Sequence, residues 1–213
     1  MLEELEIIKE QKTDLQTMRF YETPDKRLMF TLNTFCQFIE GEAEQVYHYN
    51  LTKSMPKKAK NILILGGGDG LAARNILQMN PSAHIDLVEL DKGVADMFSN
   101  DMRLTRLNNN SLSKCNLFYE DATEWVKTAM LRYHFIILDL PDGTGPTLKK
   151  LYTKEFYADC VRLLKPGGVI SIQSNHYIRF QLAQKLDELL GNSEIIDYSV
   201  AEFGDGAIVT GKK

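Results

Sequence analysis

The sequence is short of most features that would place it in a specialised class. Only 3 of its 213 residues are cysteine. Cys36, Cys115 and Cys160 lie far apart with no CxxC spacing, which gives neither a structural zinc site nor a disulfide framework. The 4 histidines form no HxxxH or HxH pair, so no histidine-based metal centre is expected. No Gly-x-Ser-x-Gly motif occurs, which disfavours a hydrolase of that type. No apolar run approaches the roughly 18 residues of a membrane helix. The opening MLEELEIIKEQ is acidic and lacks the apolar core of a secretory leader. A basic excess is missing too: 25 Lys and Arg stand against 29 Asp and Glu, a net charge of -4. That balance argues against nucleic-acid binding through bulk charge. A cytoplasmic protein with buried thiols, no nucleic acid and no membrane partner is expected.

What is present is ordinary globular composition, with 44% hydrophobic and 25% charged residues. The length suits one domain with a small appendage. Texture changes near residue 55. Before it, Thr17–Tyr21 and Leu28–Leu32 flank a turn at Thr23-Pro24-Asp25-Lys26 and predict a hairpin. Ser54–Lys60 is a polar, proline-marked connection. An N-terminal β region over 1–53 and an alternating α/β domain over 54–213 are therefore expected. In the second part the apolar runs Asn61–Leu65, Ile85–Leu90, Leu117–Tyr119, Phe135–Leu138 and Val169–Ile172 read as strands. Helices are predicted over Leu71–Met79, after Asp91, and over Ala122–Met130, Tyr152–Leu164 and Phe180–Leu190, with a β tail to Val209. Such alternation predicts a doubly wound parallel sheet, whose ligands sit at the carboxyl ends of the strands.

Those ends carry the informative residues. The first strand runs into Gly66-Gly67-Gly68-Asp69-Gly70. Gly68, Gly70 and Ala73 fit a dinucleotide pattern that folds binding S-adenosylmethionine share in their glycine-rich first turn. A bare turn with positive φ is the alternative. The second strand delivers Glu89, whose two oxygens can accept both hydroxyls of an adenosine ribose; an ordinary loop carboxylate is the alternative. Asp121, before Ala122, can accept from an adenine amino group or cap the next helix, and on its own the cap is favoured. The fourth strand ends in Asp139-Leu140-Pro141-Asp142-Gly143. Two carboxylates in a Pro- and Gly-rich loop can bind a metal, act as acid and base, or hold a polycation. One cap for a helix near Leu148 would explain only one of them. His84 and His134 read as structural, whereas His48 and His176 could face a site.

Taken in order, Gly66–Gly70, Val88-Glu89-Leu90-Asp91, Asp121-Ala122, and Asp139-x-x-Asp142-x-x-Gly145-Pro146 followed by Leu151-Tyr152-x-x-Glu155-Phe156-Tyr157 resemble the polyamine aminopropyltransferases, the spermidine synthases. Leu15-Gln16 and Tyr47-His48 resemble the family's Tyr-Gln and Tyr-His steps. Gln173-Ser174 and Phe203-Gly204-Asp205 look most like the branch often fused to membrane helices. The resemblance covers almost the whole chain. It implies a Rossmann-like, methyltransferase-type doubly wound α/β sheet behind a short N-terminal β-hairpin region. It also implies transfer of an aminopropyl group from decarboxylated S-adenosylmethionine to a polyamine, usually putrescine, releasing methylthioadenosine. No metal and no tightly bound cofactor are implied, because the donor is a co-substrate. By the same resemblance Asp139 accepts the proton, and Tyr47 and Asp142 help hold the acceptor amine. The donor is held by Gly66, Gly68 and Asp69, by Glu89 at the ribose, by Asp121 and Ala122 at the adenine, and by Gln16 and His48 along its arm. A homodimer is implied. The acceptor side departs from the family's pattern: Glu42-Ala43-Glu44 rearranges an acidic pair, Tyr49 and Gly143 replace the usual Glu and Pro, and Ala201 stands where a tyrosine often lines the pocket. An amine methyltransferase using the intact donor, a non-catalytic nucleoside- or polyamine-binding protein, and an NAD-dependent oxidoreductase are the alternatives.

Overall fold

A computed structural model describes residues 5–141, 148–200 and 204–213. Its N-terminal part is a four-stranded antiparallel sheet in the order β1-β2-β3-β4, with β1 Ile7–Lys12, β2 Thr17–Glu22, β3 Leu28–Leu32 and β4 Phe35–Ile39. Helix α1 (Glu42–Thr52) leads from it into the second part. There β5 (Asn61–Gly66), α2 (Leu71–Met79), β6 (His84–Val88), α3 (Lys92–Asn100), α4 (Met102–Leu107), β7 (Cys115–Phe118), α5 (Ala122–Thr128) and β8 (Tyr133–Asp139) follow in turn. The chain continues through α6 (Lys154–Arg162), β9 (Leu164–Asn175), α7 (Arg179–Leu190), β10 (Glu194–Val200) and β11 (Gly204–Lys212). The second sheet has seven strands, ordered β10-β11-β9-β8-β5-β6-β7. It is parallel from β9 to β7, and β11 joins β9 and β10 antiparallel to both.

β5 shows why this sheet lies in the middle. Ile62, Leu63, Ile64 and Leu65 are all fully buried, so both faces of the strand are covered. Successive side chains point to opposite faces. Ile62 and Ile64 enter one core with Leu51 of α1, Ile76 of α2 and Phe98 of α3. Leu63 and Leu65 enter the other, with Trp125 of α5, Tyr157 of α6 and Leu186 of α7. The N-terminal sheet docks on the first of these cores through aromatic rings. Phe20 stacks on Phe30 at 4.8 Å between centroids, and Phe30 meets Phe98 edge-on at 5.2 Å. That contact sets the β1–β2 turn beside the end of β6.

Two local expectations change, and one strand is unexpected. Lys165-Pro166-Gly167-Gly168 is not a break before a strand but part of β9, which starts at Leu164. The pairing jumps from Tyr133 opposite Leu164 to Phe135 opposite Val169, so the extra residues bulge out, with Gly167 at φ 74°. The single helix expected over Tyr152–Leu164 is a short 3-10 turn at Lys149–Tyr152 followed by α6. Thr153 separates them by capping α6, its side chain accepting from the Phe156 N–H at 3.2 Å. β1 carries no burial alternation, since every residue in it is exposed, so hydrophobic periodicity does not mark it.

Candidate active site

The sheet order reverses direction at β5, between β8 on one side and β6 on the other. A crevice at the carboxyl ends of these strands is the expected ligand position. Gly66 and Asp139 stand opposite each other there. The glycine loop is tight because neighbours press on it. Gly66, Gly67 and Gly70 all have positive φ, at 83°, 67° and 77°. A Cβ on Gly66 would lie 2.1 Å from the Asp139 carbonyl oxygen, and one on Gly68 would lie 2.7 Å from Glu89 Oε2. The loop is braced from below by two side chains that sequence motifs do not reveal. Asn108 donates to the Asp69 carbonyl at 2.9 Å, and Ser111 donates to that of Gly70 at 2.6 Å.

Beside the loop, Glu89 accepts from the Gly68 N–H at 3.0 Å and from the Asp91 N–H at 2.9 Å. Each of its oxygens keeps a further lone pair. Burial pushes the Glu89 carboxyl up to about 7, against those two hydrogen bonds. Asp91 caps α3 by accepting from the Gly93 N–H, and its other oxygen accepts from Gln16 Nε2 at 2.8 Å and Thr13 Oγ1 at 2.7 Å. Gln16 is thereby held at the Glu89 end of the crevice. Asp69 accepts from the Leu71 N–H at 2.9 Å. Burial, with Asp139 and Glu44 nearby, pushes it up to about 6 against the pull of His48.

The other wall is α1. Tyr47 donates a very short hydrogen bond to Asp139 Oδ1. Burial, then the adjacent Asp139 charge, holds the Tyr47 phenol well above its usual range, so it stays a proton donor. Its ring meets His48 edge-on at 4.7 Å and Tyr198 of β10 at 6.3 Å. His48 is buried, with Nδ1 2.7 Å from the Glu44 carbonyl and 3.1 Å from Glu44 Oε2. Burial alone would disfavour the imidazolium, but the Glu44 contact and the fields of Asp69 and Asp139 outweigh it and raise His48 above its usual range.

Asp139, Tyr47, His48 and Asp69 thus come together, and Glu89 and Gln16 adjoin them across Gly68. Asp121 stands further out. It caps α5 through the Thr123 N–H at 2.9 Å and pairs with Lys150, and these contacts hold it below the usual carboxylate range despite partial burial. Both readings of Asp121 start from that position, since the cap uses one oxygen. Ala122 is the buried first residue of α5. Asp142 lies outside the described residues, as does Ala201. Of the remaining histidines, His176 and His84 are exposed, and His134 accepts from the Asn61 N–H at 3.2 Å. Sequence reasoning did not single out Arg74, Asn108, Ser111 or Tyr198. Only Glu44 carried a signal, its i to i+4 spacing from His48 on one helix face.

The family model described as the spermine/spermidine synthase domain matches residues 40–200. Polyamine aminopropyltransferase 2 of Bacillus cereus is 35% identical over 171 residues, covering 78% of this chain and 46% of that protein. The polyamine aminopropyltransferase of Prochlorococcus marinus NATL1A is 33% identical over 207 residues, 95% of this chain and 70% of its own. The chain thus spans about half the length of several curated relatives it matches. Among solved structures, a spermidine synthase in complex with the transition-state analogue AdoDATO superposes with a TM-score of 0.84 at 22% identity, covering 97% of this chain and 73% of that one. The spermidine synthase of Thermotoga maritima gives 0.80 at 22% identity, with 97% and 72% covered. These two likenesses establish the fold: a methyltransferase-like parallel sheet behind an N-terminal antiparallel one.

Proposed function

Since the chain belongs to the spermine/spermidine synthase family, we propose that it moves the aminopropyl group of decarboxylated S-adenosylmethionine to a polyamine, with putrescine giving spermidine and methylthioadenosine. The observation that carries this reading is Tyr47 hydrogen-bonded to Asp139 at the end of β8, with Asp69 beside them. The donor's sulfonium already makes its adjacent carbon electrophilic. The protein's task is to present a neutral amine in line with that carbon and to take away a proton. As the amine nitrogen bonds to the carbon, the C–S bond breaks, its electron pair stays on sulfur, and methylthioadenosine leaves as a neutral thioether. Asp139 accepts the proton released from nitrogen, and Tyr47, hydrogen-bonded to it, steadies the carboxylate and lines the acceptor's path. Holding both reactants in line supplies much of the acceleration.

On the donor side, Glu89 takes the ribose hydroxyls on its spare lone pairs, and Asp121 receives the adenine amino group in place of Lys150. Gln16 and His48 flank the arm, and Gly66 and Gly68 let the donor approach the backbone. Asp69 binds the terminal ammonium. Intact S-adenosylmethionine carries a carboxylate at that end, which Asp69 repels, so the donor is selected partly by a built-in penalty. Asp142 completes the acceptor side in this reading.

The test offers decarboxylated S-adenosylmethionine with putrescine, cadaverine, agmatine and spermidine in turn, following methylthioadenosine and the elongated amine by mass spectrometry. Stoichiometric release of both with putrescine supports the full reading. Release with another amine keeps the class and replaces the acceptor. Tight nucleoside binding without product from any acceptor favours a binding protein instead.

A further inference from the structure

Against His48 lies a buried ion pair that no motif marks. Glu44 and Arg74 are 30 residues apart in sequence, on α1 and α2. Arg74 Nη1 reaches Glu44 Oε1 at 3.0 Å and Nη2 reaches Oε2 at 2.9 Å, a two-pronged contact. Arg74 also donates to the Leu107 carbonyl at 3.1 Å and to the Asn75 side chain. The side chains of Glu44, His48 and Arg74 are 1%, 3% and 9% exposed. A buried ion pair is weak as a stability device, because desolvation offsets most of its attraction. Here its geometry suggests another use, because the same Oε2 that meets Arg74 also meets His48 Nδ1 at 3.1 Å.

Both partners of that ring nitrogen, the Glu44 carbonyl and the Glu44 carboxylate, are acceptors. Nδ1 must therefore carry a proton and donate. That leaves Nε2, on the opposite edge of the ring, as the position that gains or loses one. We infer that Glu44, clamped by Arg74, is a positioning residue that fixes His48 in one orientation and one tautomer, so that Nε2 is presented to the crevice holding Asp69 and Asp139. The inference rests on the proposed function for what that ring does there, namely hold the donor's arm. The groups around the ring come from every wall: Glu44 and Tyr47 on α1, Arg74 on α2, Asp69 after β5 and Asp139 at the end of β8. Of these, Glu44 is the one in hydrogen-bond contact with the ring. Loss of its carboxylate leaves Nδ1 with the Glu44 backbone carbonyl alone and removes the nearest negative charge.

The experiment reads the imidazole nitrogens of 15N-histidine-labelled protein by NMR across the pH range, with His48 assigned by its absence in His48→Gln. In the unsubstituted protein Nδ1 stays protonated throughout and only Nε2 titrates; a neutral form protonated on Nε2 would overturn the inference without any variant. In Glu44→Gln the His48 midpoint falls by about one pH unit or more. The donor KM rises about tenfold while kcat at saturating donor stays within about twofold. Because Glu44→Gln leaves Arg74 buried without its anion, Glu44→Gln/Arg74→Gln is made alongside, and a smaller fall in the same direction is expected, since the unpaired cation is gone as well. An unmoved midpoint in a folded variant assigns the pair a purely structural role and contradicts the inference. The NMR result needs no turnover, so it stands apart from failure of the proposed reaction. An inactive enzyme with the expected tautomer and midpoint shift would fault the reaction and keep the Glu44 assignment.

Discussion

The two walls of the crevice are built by different means. The donor wall is made of strand ends and backbone: glycines at positive φ, the Gly68 and Asp91 N–H groups on Glu89, and caps at Asp91 and Asp121. Its turns and helix caps follow from local rules, with Asp91 capping through Gly93 and Asp121 through Thr123, and longer bonds from Gln16, Asn108 and Ser111 brace them. The α1 wall is made of side chains that meet across long stretches of chain. Tyr47 reaches Asp139 over 92 residues, and Glu44 reaches Arg74 over 30. In the proposed reading the first kind of wall recognises a shape shared by many nucleosides. The second keeps Tyr47 a proton donor and raises His48 above its usual range.

The largest effect is expected where the walls meet. Asp139→Asn removes the proposed proton acceptor and should lower kcat by about 10² to 10⁴, while methylthioadenosine binding measured by calorimetry stays nearly unchanged. Normal turnover in that variant would remove Asp139 from its role. Gly66→Ala puts a methyl group against the Asp139 carbonyl oxygen at a positive φ. It should cost about 3 kcal/mol or more of stability, seen as a lowered midpoint in thermal or denaturant unfolding.

pH sharpens the comparison further. Asp69 is pushed up to about 6 and Glu89 to about 7 in the empty crevice. A cationic donor binds their charged forms best, and hydrogen bonds from ribose hydroxyls likewise favour a charged Glu89. Binding therefore releases protons, and donor affinity should rise with pH through the window from about 6 to about 7, then level off. For the empty protein the sign is opposite. Both folded values exceed the unfolded ones of 3.8 and 4.5, so stability is fully present at low pH, falls as pH rises from about 4 up to about 6 for Asp69 and about 7 for Glu89, and levels off above that. Calorimetry of methylthioadenosine and of the donor in buffers of different ionisation heat counts the protons released; none in either case would contradict the assignment. The smallest effect belongs to the rim. Lys150→Ala breaks a half-exposed pair with Asp121 and should change stability by under about 1 kcal/mol. It should lower the donor KM modestly, because the adenine no longer displaces a lysine.

The same division explains what could be read from the sequence. β5 and β8 are continuous apolar runs that end in glycine and aspartate, so the sheet, its first turn and the position of Asp139 were legible from hydrophobic runs and punctuation alone. Asp91 and Asp121 were legible as caps because a cap is a local bond. β1 was not, since an exposed edge strand carries no alternation. The bulge at Pro166–Gly168 was not, because proline and glycine mark the end of a helix and a bulge in a strand with the same letters. Arg74 sits in a helix whose pattern asks only for a surface or core residue there. Its partner is chosen by how α1 crosses α2, which no local window contains. Tyr198, likewise, meets Tyr47 only because β10 folds back beside α1.

The most direct test of the whole reading is a competition in one tube, with decarboxylated and intact S-adenosylmethionine present at equal concentration and putrescine as acceptor. The account predicts aminopropylated amine and methylthioadenosine, no methylated amine, and erosion of the preference for the decarboxylated donor in Asp69→Asn. Methylated amine from the unsubstituted protein would contradict it and move the chain's chemistry to methyl transfer.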